Sequence, residues 1–147
     1  MRLAHEYYLK YDSIDIVGVK FVRAVKRILE VLEEQVRDTA DEVKMGKRYY
    51  TFARYQNDEE LPGGNIKPAQ RTGMIKTGFR PSDSPNELPY NVPGNAMLAR
   101  YLKAVEEDIL SKVPSTSVLY QAVISLQVEM YGWHHTINEA VLKYGTV

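Results

Sequence analysis

The sequence predicts an all-α fold of about four helices and one long functional loop. Three observations lead there. Apolar residues recur at three- and four-residue spacing in separate runs, the repeat that places them on one helix face. Turn and cap signals separate these runs at Asp12-Ser13 and at Pro114 to Ser117. Between the second and third runs lie about fifty residues with no long periodic pattern, far beyond the usual connection length.

The elements follow in order. Leu3, Tyr7, Tyr8 and Tyr11 share a helical face, so the chain opens in a helix or in its last turns. Phe21, Val22, Val25, Ile28, Leu29, Leu32 and Val36 mark a strong amphipathic helix over roughly residues 16–38. Its opposite face carries Lys20, Arg23, Lys26, Arg27, Glu30, Glu33, Glu34 and Arg37, a solvated surface with i,i+4 pairs. Residues 40–93 hold Pro62-Gly-Gly64, Pro68, Gly73, Gly78, Pro81, Pro85, Pro89 and Pro93. A solvated linker would not carry Tyr49, Tyr50, Phe52, Tyr55, Met74, Ile75 and Phe79 as well, so a folded loop is expected. Tyr49–Tyr55 is a candidate short strand.

The next helix starts near Gly94-Asn95. It uses Met97, Leu98, Tyr101, Leu102, Val105, Ile109 and Leu110, and Pro114 stands just past its end. Ser115-Thr-Ser117 caps a further helix with Val118, Leu119, Ala122, Val123 and Leu126 on its apolar face. Gly132 is expected to interrupt it before a last turn through Ile137, Ala140, Val141 and Leu142.

A chain of 147 residues allows one ordinary domain, which buries about two-thirds of its unfolded surface. Nineteen basic and nineteen acidic residues give a formal charge of zero. Without a basic stripe, nucleic acid is not an expected partner. No run of 18 apolar residues is present, so no membrane span is expected. The start of the sequence lacks the apolar core of a signal peptide. Zero cysteines exclude disulfides and thiolate metal sites and leave the compartment unknown. Eleven tyrosines against three phenylalanines suit sugar recognition, and equally suit half-buried aromatics with satisfied hydroxyls.

The most informative stretch runs from Gly73 to Asp83 and continues at Tyr90-Asn-Val-Pro-Gly-Asn-Ala-Met97. It sets a guanidinium (Arg80), a hydroxyl (Ser82) and a carboxylate (Asp83) within four residues of a proline-stiffened loop just before a helix. Its Gly78-Phe-Arg-Pro-Ser-Asp83 block resembles the Gly-Phe-Arg-Pro-Ser-Asp-Asp segment of glycoside hydrolase family 125, the metal-independent exo-α-1,6-mannosidases. Four further blocks, in order, are similar to the central part of that family. They are Arg2-Leu-Ala-His-Glu-Tyr-Tyr8, Tyr49-Tyr-Thr-Phe-Ala-Arg54, Leu61-Pro-Gly-Gly-Asn65 and Tyr90 to Met97.

The resemblance implies a partial (α/α)6 barrel, a helical toroid whose active site lies at the mouth where long loops meet. It implies inverting hydrolysis of terminal α-1,6-linked mannose, with a mannose-containing glycan as partner and no metal or other cofactor. Residues 1–147 would form a single partial glycoside hydrolase domain, about a third of the barrel. The family's Trp-Leu-Arg-Asp and Glu-Val-Asp-Gly stretches are not found in the sequence, so a fragment is expected. Hydrolysis is then expected of the whole barrel rather than of these residues on their own.

Inversion needs one carboxylic acid to protonate the leaving oxygen and one carboxylate to activate water, about 6.5–9.5 Å apart. The family places its acid in or near the Arg-Pro-Ser-Asp-Asp stretch. Here Asp83 keeps the first aspartate and Ser84 replaces the second, so either Asp83 is the acid or the acid has been lost. Asp83 could also cap a turn or pair with Arg80. Arg80 is a candidate to hold sugar hydroxyls or to brace the loop, and Ser82 is a candidate contact beside it. Tyr90 could stack on a pyranose or plug the core. Asn95 could offer its amide to a hydroxyl or cap the helix.

No residue stands out as the base. Glu87, Glu129 and Glu139 are available, the last two by default on a solvated face. Trp133 is a sugar platform or a packing residue. His134-His135 point about 100° apart on a helix and lack partners at ligand spacing, so no metal site is expected. The alternative function is a non-catalytic helical module that binds carbohydrate or protein through uncovered apolar helix faces.

Overall fold

The computed structural model describes residues 1–46, 68–78 and 88–145. Five helices and no strand occur among them: α1 (Arg2–Tyr11), α2 (Val19–Gln35), α3 (Thr39–Lys44), α4 (Val92–Ala104) and α5 (Tyr120–Tyr144). The all-α expectation holds. Tyr49–Tyr55 and Pro62-Gly-Gly64 lie outside the described residues.

α1 stops where Asp12 takes a left-handed conformation (φ 46°) and its amide donates to the Tyr8 carbonyl. α2 buries Val25, Leu29 and Leu32, while Phe21 and Val22 are half-buried and the predicted charged face is largely exposed. It ends three residues short of the predicted limit, because a new helix starts at once. Asp38 caps α3 through its carboxylate, which accepts from the Ala40 amide at 2.6 Å, and Asp41 and Glu42 supply negative charge in the first turn. The sequence reading missed α3, six residues being too few for a visible apolar period.

α4 begins two to three residues before the predicted start. Asn91 is the cap, its side chain accepting from the Gly94 amide at 2.9 Å, and Pro93 sits in the first turn where a missing N–H costs nothing. At its far end α4 widens into a π turn (Val105–Ile109) and tightens into a 3₁₀ turn (Leu110–Lys112) before Pro114. The extra residue of the π turn keeps Val105, Ile109 and Leu110 all inside the core.

α5 runs unbroken for 25 residues, so the predicted interruption at Gly132 does not occur. Gly132 is exposed, and a Cβ there would meet nothing within 4 Å. Val123, Leu126, Met130, His134, Ile137 and Ala140 form its buried stripe, whereas the predicted Val118 and Ala122 face solvent.

α4 and α5 form an antiparallel hairpin that is the main packing unit. Gly145, at the end of α5, lies so close to the start of α4 that a Cβ would come 2.5 Å from Val92 Cγ1. Leu102, Val105, Ile109, Leu110, Val123, Met130 and Ile137 are all but completely buried, each contributing about 1.5–3 kcal/mol of apolar burial. α2 closes one side of the hairpin with Val25, Leu29 and Leu32. α1 covers the π turn, where His5 Nε2 donates to Asp108 Oδ2 at 2.9 Å.

Candidate functional site

Residues 68–78 cross the start of the α4–α5 hairpin, held there by groups from four helices. Gly73 (φ 97°) lies against α5 closely enough that a Cβ would stand 3.1 Å from Ala140 Cβ and 3.3 Å from the Thr136 carbonyl. Glycine satisfies both the backbone angle and the approach. Thr39 ties the segment to α3: its amide donates to the Ala69 carbonyl at 2.9 Å, and its hydroxyl accepts from the Ala69 amide at 2.8 Å.

Asn95 has a structural task that the sequence reading did not foresee. It is buried, its Oδ1 accepts from the Ile75 amide at 2.7 Å, and its Nδ2 donates to the Ile75 and Asn91 carbonyls, each at 3.0 Å. Both amide protons are therefore used on the chain's own backbone. The cap of α4 is Asn91, which corrects the capping role expected of Asn95.

Lys76 was not singled out from the sequence. It is 2% exposed, and its Nζ donates to Glu42 Oε1 at 2.6 Å, while its amide donates to the Gln35 carbonyl at 3.2 Å. Taking both charges out of water is costly unless they meet, so the pair fixes this segment against α3 in one arrangement. Nothing local could have signalled it, since Glu42 lies 34 residues earlier.

Lys76 also forms an antiparallel bridge with Tyr90, and the Thr77 amide donates to the Pro89 carbonyl at 2.9 Å. The Tyr90 hydroxyl donates to the Gln70 carbonyl, and its ring is half-buried. Burial pushes the Tyr90 phenol above its ordinary value and the Asp38 charge adds to the rise, while a hydrogen bond with Thr72 opposes it. Thr77 and Pro89, flanking the stretch with Arg80, Ser82 and Asp83, are thus joined directly at the start of α4. Arg80, Ser82, Asp83 and Glu87 themselves lie outside the described residues.

The remaining candidates are on α5. Trp133 is half-buried and lies between two adjoining cavities of ≈490 and ≈270 Å³, both lined by Glu33 and Glu129. Arg71, Gly73 and Thr136 extend the second cavity toward the pinned segment. Glu129 Oε1 accepts from the Ser125 hydroxyl at 3.4 Å. Glu139 is exposed and stands 3.6 Å from His135. Among the described residues, no group of three or more His, Cys, Asp or Glu is placed to hold a metal ion. None of the described helices is long and apolar enough to cross a membrane.

Comparison with known proteins gives the class of protein to which this helical hairpin belongs. The chain belongs to the metal-independent alpha-mannosidase family (GH125), whose family model matches residues 1–147. It is also similar to the meiotically up-regulated gene 157 protein of Schizosaccharomyces pombe (strain 972 / ATCC 24843), with 29% identity over 143 residues. That match covers 90% of this chain and 28% of the relative, so the chain spans under a third of its length.

Proposed function

We propose that this chain supplies the acid-bearing loop of an inverting hydrolase acting on terminal α-1,6-linked mannose, as one part of an (α/α)6 barrel. The observation that carries the reading is the family match over residues 1–147. The pinned flanks of the loop support it. The bridge between Lys76 and Tyr90 and the bond from Thr77 to Pro89 join the two described segments on either side of residues 79–87. Catalysis needs its acid held in a defined position, and joined flanking segments suit that need.

In this reading Asp83 protonates the leaving oxygen, Arg80 and Ser82 hold sugar hydroxyls, and Tyr90 stacks on a pyranose ring. Asn95 acts by holding Ile75 rather than by touching sugar. The groove around Trp133 supplies an aromatic face with carboxylates beside it, a combination suited to a pyranose. The test is Asp83→Asn assayed on α-1,6-mannobiose in the complete enzyme. Turnover should fall by at least about a thousandfold with the fold intact. Turnover equal to that of the parent removes Asp83 from the mechanism.

A second reading, a helical module that binds a partner without hydrolysis, has one observation in its favour. Leu3, Leu9, Val128, Tyr131 and Leu142 are large apolar side chains left exposed on the outer faces of α1 and α5. It requires self-association or partner capture in a chain that shows no hydrolysis, so a strictly monomeric chain that turns substrate over would dismiss it.

A further inference from the structure

The face of the α4–α5 hairpin carrying Arg100 and His135 holds a cavity of ≈300 Å³ that takes no part in the proposed reaction. Its lining comprises Ala96, Ala99, Arg100 and Lys103 from α4 and His134, His135 and Asn138 from α5. The two alanines leave the space, and every polar group on the walls carries N–H donors. No carboxylate lines it.

The nearest acids engage these groups only loosely. Lys103 Nζ is 3.7 Å from Glu107, His135 Nδ1 is 3.6 Å from Glu139, and His134 Nε2 is 3.5 Å from Glu106. Charge-assisted hydrogen bonds run about 2.7–2.9 Å, so these contacts leave the donors available. Among the described residues, Arg100 has no carboxylate partner, and its guanidinium lies 5.8 Å from the Tyr101 ring centre. His134 is 9% exposed and its buried Nε2 has no hydrogen-bond partner. Buried polar atoms are rarely left so, and a water or an ion is one of the partners that can satisfy such an atom.

We propose that this cavity binds a phosphate oxyanion, with Arg100 and Lys103 on one wall and His134, His135 and Asn138 on the other. Arg100 suits two oxygens of one phosphate, and Lys103 and the imidazoles supply single donors around it. The cavity lies at the small end of the range for small-molecule sites, about 300–1,000 Å³, leaving room for the carbon skeleton of a sugar monoester. The site does not depend on hydrolysis and stands or falls separately from Asp83.

The experiment follows the imidazole C2–H resonances of the chain's three histidines during titration with inorganic phosphate, mannose 6-phosphate and mannose at constant ionic strength. His134 and His135 should shift and saturate, while His5, held by Asp108 away from this cavity, stays in place. Arg100→Gln with Lys103→Gln, both exposed positions, should keep the parent melting temperature and weaken binding by at least about tenfold. Tighter binding of mannose 6-phosphate names a sugar monoester as the ligand, and equal binding names free phosphate; both uphold the anion site. Equal shifts with mannose, no saturation up to about 50 mM, or unchanged affinity in the double variant would overturn it.

Discussion

At the scale of single residues, the site depends on polar groups that the chain spends on itself. Asn95 holds Ile75 by both its amide and its carbonyl, so Asn95→Ala strands two backbone groups where water has little access. A loss of about 1–3 kcal/mol per stranded group is expected, measured by urea denaturation, together with reduced turnover in the complete enzyme. Asn95→Asp should lose the donating half of the clasp and fall between the two. Lys76 and Glu42 behave differently because they form a buried ion pair, Nζ to Oε1 at 2.6 Å. Lys76→Met should cost about 3–5 kcal/mol by leaving Glu42 buried and unpaired, whereas Lys76→Met with Glu42→Leu should recover most of that loss. A double variant no more stable than the single one would show that the charges are not coupled. Asn95 stood out in the sequence but its partner did not, and Lys76 did not stand out at all. Both act on residues 20 to 34 positions away.

At the scale of elements, apolar spacing located α1, α2, α4 and α5, and it failed where elements are short or interrupted. α3 was invisible to periodicity, although Asp38 with Asp41 and Glu42 behind it is a capping signature. Gly132 was expected to break α5 because glycine weakens a helix interior. The stripe from Val123 to Ala140 passes through that position, and packing against α4 outweighs the local cost. Gly132→Ala should therefore stabilise the fold by about 0.5–1 kcal/mol, read as a higher melting temperature. Gly73, by contrast, must remain glycine on grounds of both angle and contact. The π turn at Val105–Ile109 had no signal in the sequence. Of its side chains, Asp108 bonds His5 at 2.9 Å, which ties α1 to the end of α4, and Glu106 stands 3.5 Å from His134 of α5 without a hydrogen bond.

At the scale of the whole molecule, a compact hairpin core coexists with large apolar side chains at the surface. Leu3 is 85% exposed and Val128 70% exposed. Such faces favour association, so the isolated chain should show a sedimentation coefficient that rises with concentration. Leu3→Glu with Val128→Glu should return it to a monomer, and concentration-independent sedimentation of the parent would count against exposed faces as a contact surface. The sequence by itself determined the helical class, the positions of the main helices and the family, because these depend on spacing and on short ordered motifs. It left Asp83, Arg80 and Ser82 as expectations, since a loop's chemistry depends on where its side chains point. Only the tertiary structure decided that Asn95 and Lys76 hold the loop's base, that α5 runs through Gly132, and that Arg100, Lys103 and two histidines share a cavity. Each of these joins residues distant in the chain, and contacts closed by folding leave no periodic trace in the sequence.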